Sequence, residues 1–332
     1  MSSYTAETGY VGLARQDAKG TFKAPTDYMK VTSIDLNPDG EKLIPDPEIG
    51  YDTGSDITDI HQGTYKISGS LDGYIRPEAI GILFWGAIGV YVSSGLLGDG
   101  AYLHNFTPLV SGSLPWISIK KSISDDAEVM HYTDCKVEGF SIEVNESEFC
   151  TAKFDIVGIS DAGGSGAVPD FEDAPLLVAT KAAINIGGVA VSAKKVSLDW
   201  KNNLDSGDFR VGARTLGDIA EKRRELDIKM DIVLDTTSNL YKKAFWGSAT
   251  ASSAGFTVNA ESVDIVLESP SLISTSALPY KILLQIKNAV FMAAPTPASG
   301  DDLVVIPLEL KATKSGANNI LEIHIWNSKT AY

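Results

Sequence analysis

Two stretches of the chain change hydrophobic period in the same way. In Tyr65–Gly89, Tyr65, Ile67 and Leu71 alternate with Lys66, Ser68 and Ser70, the period of two expected of a half-buried strand. The period then lengthens: Ile80, Leu83, Phe84, Ala87 and Ile88 fall on one face of a helix. Pro77 suits its first turn and Gly89 its end. Leu226–Ala249 has the same grammar. Leu226, Ile228, Met230, Ile232 and Leu234 alternate with Asp227, Lys229, Asp231 and Val233, Asp235-Thr236-Thr237 offers caps, and a short helix ends in Phe245-Trp246-Gly247.

The echo keeps its spacing. Phe84-Trp85-Gly86 and Phe245-Trp246-Gly247 lie 161 residues apart, and at that offset Tyr65 falls on Leu226, Ile67 on Ile228 and Leu71 on Ile232. Upstream, Ile49–Ile57 matches Val211–Ile219 at an offset of 162, one indel away. Three blocks in one order and one phase point to a duplicated domain. The alternative is two unrelated domains that each set a strand before a helix. Phe84, Trp85, Phe245 and Trp246 are read as the packing residues that define the repeat.

The remaining pattern is strand-rich. Val31–Leu36 starts a strand, Trp116–Lys120 alternates, and Asp134–Gly158 reads as a hairpin turning at Asn145–Glu148. Ala183–Val191 is a strand–GlyGly–strand hairpin, Val263–Leu267 and Ile282–Ile286 are strands, Val290–Leu310 is a hairpin turning at Pro295–Asp302, and Ile320–Trp326 closes the chain. The expected fold is mainly β with a few short helices: two repeats of an antiparallel β-sandwich or half-barrel, each with one flanking helix. The expected divisions are an N-terminal arm over 1–30, a first β domain over 31–160, a linker over 161–174 and a second β domain over 175–332. Asn37–Gly63 and Asn202–Glu221 are long, polar connections of the kind that carry function.

With 332 residues the chain has room for two domains of about 150 each. It has no apolar run near ~18 residues, so no membrane span is expected, and its N-terminus lacks the basic start and apolar core of a secretory signal. Cys135 and Cys150 flank one hairpin; without a secretory signal, buried thiols are favoured over a bridge. The net charge is −15, shared as −13 over residues 1–162 and −2 over 163–332. That excludes tight binding of free nucleic acid, which depends on neutralising phosphates.

A search for chemistry finds no constellation. His61, His104, His131 and His324 lack metal-ligand spacing, and neither Cys has a CxxC partner. The acidic stretches Asp52–Asp59 and Asp125-Asp126 lack the full calcium-loop pattern. There is no GxSxG and no P-loop, and Gly95–Gly100 does not join a strand to a helix. No catalytic, cofactor or metal residue is assigned, and a non-enzymatic assembly protein is the expectation.

Three stretches carry a resemblance. They are GYVGLARQDAKGTFKAPTDYMKVTSIDL at the start, ISGSLDGYIRPEAIGILFWGAIG, and the hairpin from Tyr132 through Lys136-Val137 to Ala152–Gly158. Together they resemble the tail tube (major tail) proteins of long non-contractile tailed bacteriophages. The resemblance implies a structural virion protein whose rings stack into a tube that conducts DNA. It would be made in the host cytoplasm and found in the virion tail. Its partners would be its own copies, tape-measure and tail-terminator or tail-tip proteins, and genomic DNA passing without tight binding. With two tube folds per chain, three chains would close a pseudo-sixfold ring, six chains being the alternative. Hairpins Val137–Val157 and Ala289–Leu310 would line the lumen, with Glu143, Glu146, Glu148, Asp155, Asp301, Asp302 and Glu309 facing it. The arm and the two long connections would bridge stacked rings. The competing expectation is a β-sandwich binding module, an adhesin or a carbohydrate-binding baseplate or tail-tip protein.

Overall fold

The computed structural model describes residues 8–46, 59–123, 128–166, 169–171, 174–234, 239–256, 258–274, 276–296 and 303–332. Its first half runs β1 (Tyr10–Arg15), β2 (Asp27–Met29), β3 (Ser33–Leu43), β4 (His61–Tyr74), α1 (Gly81–Ile88), β5 (Gly89–Gly98), β6 (Ala101–Pro108), β7 (Ile117–Ile123), β8 (Glu128–Asn145) and β9 (Thr151–Gly163). The second half runs β10 (Ala183–Ile186), β11 (Val189–Val191), β12 (Ala193–Lys201), β13 (Glu225–Val233), α2 (Leu240–Trp246), β14 (Ala260–Leu272), β15 (Pro279–Ala293), β16 (Val305–Ala312) and β17 (Glu322–Asn327). The protein is therefore mainly β, with two short helices among the described residues, and the paired strands run antiparallel.

The pairings repeat. In the first half β3 pairs β4, β4 pairs β9 and β9 pairs β8. In the second, β12 pairs β13, β13 pairs β16 and β16 pairs β15. A helix follows β4 and β13 alike. Strands β8 and β15 are long enough to serve two neighbourhoods. The N-terminal part of β8 pairs β7, which carries β1 and β2 beyond it, while its C-terminal part pairs β12. The N-terminal part of β15 pairs β17, and β14 lies along its other side. The GlyGly hairpin of β10 and β11 turns through Gly187 and Gly188, both at positive φ, as a two-residue turn of primed type demands.

One hydrophobic core runs through both halves. Along β8, Phe140, Ile142 and Val144 point inward, and so do Val196, Leu198 and Trp200 on β12. Period-two alternation in each strand produces this. The expected one-faced helix is instead buried nearly all round: every residue of α1 except Trp85 is inside. Phe84 meets Phe140 and Phe154 edge-on at 5.2 and 5.4 Å. A helix apolar on all sides needs cover on all sides: β1, β5, β6 and β8 of the same half pack on it, and the segment after β17 adds the remaining patch.

Two strand seams join the halves. Gly139–Asn145 of β8 pairs Lys195–Lys201 of β12, and Tyr102–Phe106 of β6 pairs Ile323–Asn327 of β17. At the first seam, Asn202 Nδ2 donates to the carbonyls of Ala87 and Val137, and its Oδ1 accepts from Trp200 Nε1. At the second, the segment after β17 closes over α1. Ser328 donates to the buried Glu78 carboxylate from both its amide and its hydroxyl, and Tyr332 donates from its hydroxyl to the Pro77 carbonyl. The Tyr332 ring lies so close to Gly81 that an added Cβ would sit 2.0 Å from it.

Several expectations are corrected. Residues 10–29 are no free arm: β1 is buried and paired on both sides, because Tyr10, Val11, Leu13 and Ala14 are apolar enough to enter the core. Residues 161–163, expected as linker, extend β9 against β8. The glycine-rich stretch Gly95–Gly100 is mostly strand: β5 continues to Gly98, and Asp99-Gly100 makes the turn into β6. The connection expected over Asn37–Gly63 is shorter than it looked, since β3 runs on to Leu43 and β4 starts at His61; its middle (47–58), residues 1–7, the matching block over 49–57, the caps Asp235–Thr237 and the turn residues 297–302 lie outside the described residues.

The polar connection after β12 is not loose. It folds back on the first half over a small core of Leu114, Val157, Ile159, Leu204, Leu216 and Ile219. Its anchor is Lys136, almost fully buried, whose Nζ donates to Glu221 Oε1 (2.6 Å), the Ile219 carbonyl (2.7 Å) and Ser113 Oγ (2.8 Å) and lies 4.3 Å from the Trp116 ring centroid. Burial works to raise the Glu221 pKa, but hydrogen bonds from Lys136, the Leu114 amide and Ser113 hold it below its ordinary 4.5. A depressed carboxylate adds stability that is present above its unfolded pKa and is lost as pH falls through the folded one. Glu221→Gln strands the Lys136 ammonium and is expected to cost about 3 kcal/mol at pH 7. Denaturant melts from pH 7 to pH 3 should show that difference shrinking below about pH 4.5; a pH-independent difference would count against the ion pair.

Candidate functional site

The faces of the strands that do not enter the core form one charged surface across both halves. Antiparallel partners in register share a face, so the surface can be followed by pairs. One row runs Asp72, Lys153, Ser141, Asp199, Asp227, Lys311 across β4, β9, β8, β12, β13 and β16. The next runs Thr151, Glu143, Ser197, Lys229, Glu309. The alternate row beneath is apolar: Ala152, Ile142, Leu198, Ile228 and Leu310 face the core. The strand period thus builds the core and the charged surface together, and the β8·β12 seam carries both from one half to the other. Much of this surface lines a shallow groove of about 690 Å³.

Three of the carboxylates expected to act together do come together here: Glu143, Asp155 and Glu309 line that groove. Glu146 and Glu148 stand exposed in the turn beyond β8, where Glu148 accepts from Asn145 Nδ2. Asp301 and Asp302 lie outside the described residues. The residues read as defining the repeat part company. Phe84 is fully buried and Trp85 packs against the core beneath the Arg15 guanidinium, 4.4 Å away. Phe245 is 46% exposed and Trp246 half-buried, because α2 is short and sinks only Leu240.

The surface is not purely acidic, which reading carboxylates alone missed. Lysines interleave with them: Lys201 with Asp199 at 2.8 Å, Lys311 with Glu225 at 2.9 Å and Asp227 at 3.2 Å, Lys153 with Asp155 at 3.7 Å, and Lys229 with Glu309 at 3.7 Å. Their phase was available, since Lys153 alternates with Phe154 and Lys229 with Met230. In the two rows above, five carboxylates face three ammonium groups, so the balance stays negative. The Lys201 pKa is raised by its bond to Asp199, and the Glu225 pKa is lowered by its bond from Lys311. Asp155 and Glu138 go the other way: burial raises both, and each also feels a neighbouring carboxylate.

Among the described residues no three His, Cys, Asp or Glu gather as metal ligands, and no helix is long and apolar enough to cross a membrane. Cys135 and Cys150 are free and buried; burial pushes the Cys135 thiol up strongly and that of Cys150 to about 12, far from a reactive thiolate. His104 is held inside by Tyr91, Asn327 and the Lys329 carbonyl, with burial lowering its pKa.

A raised carboxylate opposes folding when ionised, so Asp155→Asn should be neutral or stabilising at pH 7. The gain should be at most about 0.5 kcal/mol once solvent screening is allowed for. It should vanish as pH falls below the ordinary carboxylate range, since both forms are then uncharged. Paired thermal melts at pH 7 and pH 3.5 check this; a clear loss at pH 7 would mean the Lys153 contact dominates.

No curated protein matches the chain. A family model described as "Phage tail tube protein" matches residues 7–312, from just before β1 to the end of β16. The match takes in both seams' first-half strands, both helices and nearly all of the charged surface, and on that extent the chain belongs to the phage tail tube protein family.

Proposed function

We propose that three copies of this chain close a ring with six lobes, and that such rings stack into the tail tube through which phage DNA leaves the virion. Each half supplies one lobe, the division falling in the segment between β9 and β10. The observation that carries the reading is the charged surface, which crosses from half to half in unbroken register through the β8·β12 seam. Repeating that junction from chain to chain would curve the sheet into a barrel with this surface inside. A head-to-tail contact closes into a ring when its rotation permits, and closure hides strand edges such as that of β3, which among the described strands pairs β4 alone and is mostly exposed.

Glu143, Asp155 and Glu309 would then face the lumen. Their negative balance repels phosphate, and the lysines beside them are occupied by carboxylates, so DNA would slide without being held. Tape-measure and tail-terminator or tail-tip proteins would meet the tube in its lumen and at its ends.

Electron microscopy of the purified protein, with native mass of any rings, tests the reading. The expected result is stacked tubes or rings of three chains with six lobes. Rings of six chains would keep the tube and remove the claim that each half is a lobe. A monomer that never assembles, even on a tail-tip seed, would favour a binding module.

A further inference from the structure

The two helices occupy corresponding positions but differ in cover. α1 packs on β8 and α2 packs on β15. α1 is buried, whereas α2 presents a cluster of three rings: Tyr241 lies 5.0 Å from Phe245 and 6.0 Å from Trp246, with Tyr241 42% and Phe245 46% exposed. Clustered exposed aromatics are uncommon on a surface with nothing to bind and common at the centre of protein interfaces.

The chain holds a template for what covers such a helix. The segment that leaves β17 in the second half crosses to α1 in the first, and Tyr332 packs its ring on Gly81. β17 lies beside the N-terminal part of β15 as the end of β9 lies beside the N-terminal part of β8. The counterpart of the covering segment is therefore the end of β9 and the residues after it. There Asp161–Gly163 is exposed, and no strand among the described residues pairs with its outer edge, β4 reaching only to Gly158. An added Cβ on Gly163 would meet nothing within 4 Å. Within the chain, the ring is on the segment and the glycine on the helix. At this second junction the helix carries the rings, Gly163 ends β9, and Gly164 and Gly166 follow it.

We infer that the aromatic face of α2 is the docking surface for a second copy of this chain, which lays the end of its β9, from Ser160 to Gly166, across Tyr241, Phe245 and Trp246. The inference rests on the ring reading above and names the contact that would join one chain to the next. Glycines let a backbone lie flat on the rings, and the unpaired β9 edge lies within the same contact.

Two variants test it in the full chain. Tyr241→Ser/Phe245→Ser changes exposed side chains, so its melting temperature should stay within a few degrees of the parent. Ring formation, read by native mass against concentration, should require at least a tenfold higher concentration. Phe245→Cys/Ala162→Cys should give covalent oligomers on mild oxidation, whereas either single variant should not, since Cys135 and Cys150 are buried. Parental assembly by the serine variant, or wild-type rings without crosslinking in the cysteine pair, overturns the inference. Crosslinked pairs in a protein that forms no rings would keep this contact and sink the ring. No rings and no crosslinks would remove both.

Discussion

The backbone hydrogen bonds between β8 and β12 are the contact on which the rest of the molecule depends. They turn two similar sets of strands into one sheet, carry one core beneath it and one charged surface above it. Because side chains alternate along a strand, a slip of one residue at this seam would send Leu198 and Trp200 to solvent and Ser197 and Asp199 into the core. Register at the seam is thus held by the same burial that it makes possible. Gly139 sits where the β12 backbone comes closest, with a built Cβ only 2.5 Å from the Trp200 carbonyl, so the seam also demands the absence of a side chain there.

The strand content, both helices, the GlyGly hairpin and the long hairpin around Asn145–Glu148 were legible as local periods. What was not legible follows from tertiary context. The pattern around Gly12, Pro25 and the polar residues between them hides that β1 is a core strand, because its partner β7 lies a hundred residues on and is itself buried on both faces. α1 looked amphipathic since nothing local announces that β5, β6 and the segment after β17 will cover its far side. Phe245 looked like the twin of Phe84 since tripeptides carry no information about the cover they meet.

Reading charge by type rather than by phase had a similar cost. The carboxylates on the sheet surface were found, but the lysines one or two pairs away belong to the same alternation and reduce its field. Each pair is exposed and worth little to stability, so the lattice is better understood as setting surface potential than as holding the fold. The charge pair whose loss the fold would feel is instead the buried one, Lys136 and Glu221, which ties the second half's polar connection down on the first.

Tyr332 bonds to Pro77 across 255 positions of chain. A ribosome adding about 5–20 residues per second would leave the α1 region without its cover for roughly 10–50 s. During that interval the first half leaves the Gly81 patch of α1 uncovered and the β6 edge unpaired, and the open edge is a liability for mispairing with another nascent chain. The same delay means that the first half cannot complete its own packing alone: the strand partner of β6 and the segment that closes over α1 exist only once the second half has been made.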